Sequence, residues 1–295
     1  MPEAVLPAPP ARPRPAGLPT LALRSRKTVI GGSVLLVVIT AAVLAPWLAP
    51  YPVTEMHPSA KLAPPGGAFL LGADFYGRDT LSRILFGYRT SLLVAGASVL
   101  FALTLGGAAG VAAGYLGGPW ETAIMRGMDI LFAFPVLLLA ITIVVILGAG
   151  TLTTILAIGI VYVPIFARIA RGPTLVVKEQ AYIEAAYALG QRPWRIIARH
   201  VAPNVSTPIL VQATINLATA ILFESALSFL GLGTQPPFPS LGLMVSEGRN
   251  YLELTPWPAV FPGTAIVLAV LGFNLLGDSL QELLDPRLRP TWTSA

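Results

Sequence analysis

The sequence predicts an all-α integral membrane protein with six transmembrane helices, and three observations carry that prediction. Of its 295 residues, 55% are hydrophobic and only 11% are charged, against about 25% charged in an ordinary soluble domain. Six apolar segments are each long enough to cross a hydrocarbon core of about 30 Å, which takes about 20 helical residues. Fourteen of the 19 Lys and Arg fall on one set of connecting segments, the asymmetry that marks cytoplasmic loops. The net charge of +5 therefore reports orientation rather than a nucleic-acid partner. The absence of cysteine excludes disulfides, thiolate catalysis, iron–sulfur clusters and Cys-ligated zinc.

Residues 1–27 begin with seven prolines in twenty residues and read as a disordered, polyproline-leaning tail. The first span, about 28–48, follows Arg24, Arg26 and Lys27 and is longer than the apolar region of a cleaved signal. The second, about 91–115, carries Gly106, Gly110, Gly114 and Gly118, with Ala102 one step earlier. Residues four apart share one helix face, so this bare face is either a close-packing surface for a neighbouring helix or a moving translocation surface. The third and fourth spans, about 128–148 and 151–168, meet at a tight turn near Gly148–Gly150. The fifth and sixth are expected at about 206–230 and 259–280, with a loop at 231–258. Pro135, Pro164, Pro208 and Pro262 lie within or at the ends of spans and can kink them. Both termini and the 169–205 segment fall on the cytoplasmic side, and 49–90 and 231–258 on the outside.

The polar stretch Glu184–Asn204, "EAAYALGQRPWRIIARHVAPN", interrupts this apolar chain. A first short helix ends at Gly190, which suits a left-handed C′ residue. Pro193 suits the first turn of a second helix. That helix places Trp194, Ile197 and Val201 on one face and Arg195 and Arg199 on a basic stripe, and Pro203 ends it before the next span. Ala185 and Ala186 leave a small bare knob beside Glu184, suited to a groove on another protein. An amphipathic pair lying on anionic membrane lipid is the alternative.

Here the residues resemble a known family. Glu184-Ala185-Ala186, then Gly190, then Val201-Ala202-Pro203 is similar to the EAA loop of ABC-importer permeases, with Ala202 in place of the usual leucine. "LLGADFYGRDTLSRILFGYRTSL" (Leu70–Leu92), "ESALSFLGLGTQPPFPSLG" (Glu224–Gly242) and "NLLGDSLQELLDPRLR" (Asn274–Arg289) resemble the C-type permeases of dipeptide, oligopeptide and nickel importers, with Leu241 standing where many relatives have tryptophan. The resemblance covers 28–289 and implies a type I ABC importer transmembrane domain. Residues 290–295 are left as a short C-terminal tail. It also implies a coupling loop at about 172–204, whose Glu184, Ala185, Ala186, Gly190, Arg195 and Pro203 meet a cytoplasmic ATPase. The implied partners are a homologous B-type permease, two ATP-binding subunits and an extracytoplasmic substrate-binding protein. The implied cargo is a di- or oligopeptide, and less often a nickel chelate or glutathione. In the Leu70–Leu92 segment, Asp79 can cap a short helix, with Leu81, Ile84 and Leu85 buried while Arg83 snorkels.

Intramembrane carboxylates are functional candidates, because each is costly in hydrocarbon. Asp129 and Asp278 lie near the cytoplasmic boundary and can cap helices or pair with loop arginines. Glu224 is deeper; it either lines the path and meets a peptide's ammonium end or pairs with an arginine of the partner permease. Asn274 is a further candidate for the path. The chain carries no phosphate-binding loop, since none of Lys27, Lys61 and Lys178 stands in one. ATP hydrolysis is thus expected from partner subunits, and no cofactor or metal from this chain. A six-span secondary transporter or channel is the competing class, although no internal repeat supports it. An intramembrane enzyme would need more than His57 and His200, which no catalytic motif surrounds.

Overall fold

The computed structural model describes residues 26–284. They run through α1 (Arg26–Val43), α2 (Ala45–Leu48), α3 (Thr80–Leu116), α4 (Gly118–Phe132), α5 (Val136–Leu147), α6 (Thr151–Lys178), α7 (Ala181–Ala188), α8 (Pro193–Ile196), α9 (Ala202–Phe229), α10 (Leu241–Gly248) and α11 (Trp257–Leu284). The readings of residues 1–25 and 285–295, the Pro-rich and C-terminal tails among them, lie outside the described residues.

The centre of the bundle is the parallel pair α3 and α6. Ser98 Oγ donates to the Ile155 carbonyl at 3.1 Å. Further along, Gly106 faces Val163, Gly110 faces Ala167, and Gly114 faces Thr174, with the register unbroken. A Cβ on Gly114 would lie 2.9 Å from Thr174 Cβ, and one on Gly106 or Gly110 would meet an α6 carbonyl oxygen. The glycine face is therefore a packing surface within this chain. Gly118 is not part of it: with φ +57° it starts α4 and faces open space.

α1 runs antiparallel along α11. Gly31 sits against Leu275, Thr28 hydrogen-bonds Ser279, and Lys27 Nζ reaches Glu282 at 2.6 Å. The two ends of the described chain thus share one end of the bundle, called the basic end below, which requires an even number of crossings. Among the described residues, five helices are long and apolar enough to span, and α4 with α5 makes a sixth crossing broken by 88°. The parallel α3 and α6 demand that crossing: the chain must climb from Leu116 back to the level of Ser98, about 27 Å of helix.

Three expected boundaries are corrected by packing. The second span begins not near 91 but at Thr80, because Asp79 caps the whole 37-residue helix by accepting from the Ser82 N–H at 2.7 Å. Residues 116–127, expected as a loop, form most of α4, a surface helix with no buried residue. It is tied to α6 by Glu121–Arg171 and Asp129–Arg168, each 2.7 Å. The helix breaks at Ala133–Pro135, where Pro135 removes a backbone donor and caps α5. The fourth span continues past 168 to Lys178, carrying Pro164 and Pro173 within it. The outer surface of the spans is itself apolar, with Leu36, Leu100, Ile146 and Val267 exposed, as a lipid-facing bundle requires.

Candidate functional site

The helix pair α7–α8 hangs beneath the basic end, and its turn is built by glycine. Gly190 takes φ +73°. Its N–H donates to the Tyr187 carbonyl at 2.9 Å, and the Gln191 N–H donates to the Ala186 carbonyl at 3.1 Å. These two bonds form a Schellman cap, which satisfies the last carbonyls of α7 and needs a left-handed residue at its centre. Pro193 then starts α8 with its missing donor where none is needed.

What seats the pair is a second apolar core, separate from that of the bundle. Ile183 and Ala186 of α7, Ile196 of α8, and Val201 and Val205 beyond it close against Tyr115 of α3 and Ala170 of α6. Ile183, Ile196, Val201 and Val205 are fully buried. Each such side chain contributes about 1.5–3 kcal/mol, so the four outweigh the single Tyr187–Tyr115 hydroxyl contact, worth about 1 kcal/mol. The pair is joined to α3, α6 and α9 chiefly by apolar burial. Two corrections follow. Ala186 points inward and is 4% exposed, so it is no part of an outward knob; Glu184, Ala185 and Leu189 make up the outward face. Trp194 points outward, and the buried face is Ile196, Ile197 and Val201. Arg195 lies beside the Trp194 ring at 5.5 Å and is exposed, as is Arg199.

Pro203 does not end the second helix. α8 passes through a π turn, Ile197–Val201, directly into α9, and Pro203 occupies the first turn of α9. The Ala202 N–H reaches back five residues to the Ile197 carbonyl. This wider turn accommodates the donor that proline lacks. The pair is therefore continuous with α9 through the π turn, and is joined to α6 by the short turn at Glu179–Gln180.

The remaining site candidates separate. Asn274 is exposed on α11. Glu224 is fully buried inside this chain: Ser91 Oγ donates to it at 2.6 Å from α3, and Ser228 Oγ at 2.8 Å from the next turn of α9. Its carboxylate is thus enclosed by hydroxyls of its own subunit and is fully buried within this chain. Asp129 pairs with Arg168, and Asp278 is exposed near the basic end.

Sequence reasoning missed the polar core at the opposite end. Arg83 does not snorkel: it is 1% exposed, and its Nη2 lies 2.9 Å from Glu247 of α10. Arg78 bridges Asp74 at 2.6 Å and the same Glu247 at 2.9 Å. Asp74 also accepts from the N–H groups of Tyr76 and Arg78, at 2.8 and 3.0 Å. The loop expected at 231–258 contains α10, whose fully buried Leu241 packs against Gly87 of α3. Most of the stretch Leu70–Leu92 thus builds one joint: Gly72 and Gly77 take positive φ, Asp79 and Ser82 form the cap, and Ser91 holds Glu224.

A long-helix bundle with a broken span and a helix pair seated on one end defines the class of a membrane transport component. The chain belongs to the family of binding-protein-dependent transport system inner membrane components, which matches residues 106–290, and residues 23–65 match the N-terminal TM domain of oligopeptide transport permease C. It is 42% identical to the dipeptide transport system permease protein DppC of Alkalihalophilus pseudofirmus, over 90% of this chain and 88% of that one. It is also 42% identical to the glutathione transport system permease protein GsiD of Pectobacterium atrosepticum, over 90% and 89%. The probable D,D-dipeptide transport system permease protein DdpC of Escherichia coli is 38% identical, over 88% and 87%. Among solved structures, an inward-facing form of the MetNI methionine ABC transporter superposes with a TM-score of 0.54 at 20% identity, covering 68% of this chain and 96% of that one. The fold is that of an ABC importer transmembrane domain.

Proposed function

We propose that this chain is the C-type permease subunit of an ATP-driven importer for di- or oligopeptides. It works with a homologous B-type permease, two ATP-binding subunits and an extracytoplasmic substrate-binding protein. The basic end, with α7–α8 and both termini, faces the cytoplasm. The observation that carries the reading is the seating of α7–α8: an outward face of Glu184, Ala185 and Leu189, Leu189 being 80% exposed, is carried on a core joined to three long helices. A push on that face is delivered to α3, α6 and α9 together. Gly190 sets the turn, Arg195 lies on the solvent side, and Pro203 marks the wide turn into α9.

Reconstituting the chain with its partner subunits in proteoliposomes tests this. Uptake of a labelled dipeptide is expected with ATP and binding protein present, and none with an ion gradient alone. Gly190→Pro is expected to abolish uptake while the chain still inserts and assembles. Gradient-driven uptake without ATP would establish a secondary transporter instead.

A further inference from the structure

We propose that the groove between α6, α9 and α11 at the basic end is a cargo-contact site, in which the carboxamides of Gln212 and Gln281 hold the backbone amide of a peptide leaving for the cytoplasm. The proposal rests on the importer reading above, which faces this end inward and makes a peptide the cargo.

The groove holds about 440 Å³, a volume within the range of about 300–1,000 Å³ found for small-molecule sites. Thr207, Val211, Gln212 and Ile215 of α9 form its floor, with Ile169 of α6 on one side and Gln281 of α11 on the other. Gly277 sets where it begins. A Cβ there would lie 3.2 Å from Ile215 Cγ1, so α11 rests directly on α9 at that level. Gln281 stands one turn closer to the basic end, at the groove.

The polar groups are placed by their helices. Gln212 is half-buried, and its Nε2 donates to Asn216 Oδ1, one turn deeper on α9, at 2.9 Å. That bond orients the Gln212 amide and leaves its oxygen and its second N–H for a ligand. On α11, Asn274, Asp278 and Gln281 are all exposed at spacings of four and three, so one polar face runs down that helix to the groove. Pro208, also in the floor, supplies no N–H to the Asn204 carbonyl, which adds a backbone acceptor beside Thr207.

Chemistry identifies the occupant. Polar groups are costly against hydrocarbon, so two carboxamides and a hydroxyl make a poor seat for an acyl chain. Helices that pack together in membranes meet through small residues, whereas Ile169, Val211, Gln212 and Ile215 are branched or long. Among the described residues the lining carries no charge, so it does not capture the ammonium or carboxylate end of a peptide. What it matches is the bond between them. A carboxamide presents one N–H and one carbonyl side by side, and a peptide bond answers both. The apolar residues of the floor and wall then accept side chains without reading polar detail. Recognition of this kind follows the backbone and tolerates many sequences.

The chain has no cysteine, so Thr207→Cys puts a single thiol in the groove. The test assembles this variant with cysteine-free partner subunits in lipid nanodiscs and times its reaction with a charged, membrane-impermeant methanethiosulfonate. Labelling from water is expected, slowed about 5-fold by millimolar leucyl-glycine, the scale of one good hydrogen bond's worth of occupancy. The ketomethylene isostere of leucyl-glycine keeps both charged ends but lacks the amide N–H, and is expected to protect much less. Adding Gln212→Leu is expected to reduce protection by the dipeptide to that of the isostere, with an unchanged unfolding midpoint. If that double variant does not assemble, the dipeptide and isostere compared on Thr207→Cys decide; if Thr207→Cys does not assemble, Val211→Cys takes its place. Equal protection by dipeptide and isostere, or none by either, overturns the proposal. So does a thiol that the reagent never reaches, since lipid or a partner helix then covers the groove. ATP-driven dipeptide uptake without protection would defeat this proposal alone, whereas wild-type transporter that imports nothing with ATP and binding protein would defeat the importer reading.

Discussion

The two ends of α3 are closed by opposite means. At its start, Arg78 and Arg83 are locked to Asp74 and to Glu247 of α10 by ion pairs of 2.6 to 2.9 Å. At its end, Tyr115 belongs to an apolar core with Ile183, Ile196, Val201 and Val205. Ion pairs and their hydrogen bonds are directional, and a buried one fails badly when a single partner is removed. Apolar contacts have no preferred direction and lose energy in proportion to the area uncovered. One end therefore holds a fixed geometry. The other can shift its packing by small steps while staying seated, which suits a part that must be moved.

That contrast can be broken by substitution, most severely at the charged end. Glu247→Leu leaves two buried arginines without their shared partner, and a loss of about 3–5 kcal/mol is expected, read as a lower unfolding midpoint in detergent. Ile196→Ala opens a void in the small core and is expected to cost about 2–5 kcal/mol. Its effect should stay local, read as faster proteolysis at Arg192 and Arg195 with the spans still protected. Global unfolding by this variant would show that the ends are not independent. Gly190→Ala forces a side chain into the left-handed region at φ +73° and is expected to cost about 1–2 kcal/mol, with reduced uptake in proteoliposomes and normal assembly. The comparison is sharpened most by the smallest change. Leu189→Ser, at an 80% exposed position, is expected to leave stability within about 0.5 kcal/mol while lowering binding-protein-stimulated ATP hydrolysis.

The spans were legible because hydropathy over some twenty residues reports the solvent around a helix. Their limits were less so. α3 starts eleven residues before its expected span, at Thr80 rather than about 91, because cap chemistry and contacts with α10 decide where a helix begins, and neither is hydrophobic. Pro135 was visible as a kink, but an 88° break depends on α4 being held flat by Arg168 and Arg171. Pro203 was misread as a stop, since a local rule cannot foresee a π turn absorbing the missing donor. The cap at Gly190 was legible because its signal lies within six residues. The Arg83–Glu247 pair, 164 residues apart, left no local trace, and neither did the enclosure of Glu224 by Ser91, 133 residues away.

The glycine contact between α3 and α6 has one further consequence. Where backbone lies on backbone, there is no layer of side chains to slide or re-rotamerise, so these two helices form a single stiff beam running the depth of the membrane. A displacement received at the basic end is then carried undiminished to the far end of both helices. A crosslink tying α3 to α6 should therefore be harmless to transport.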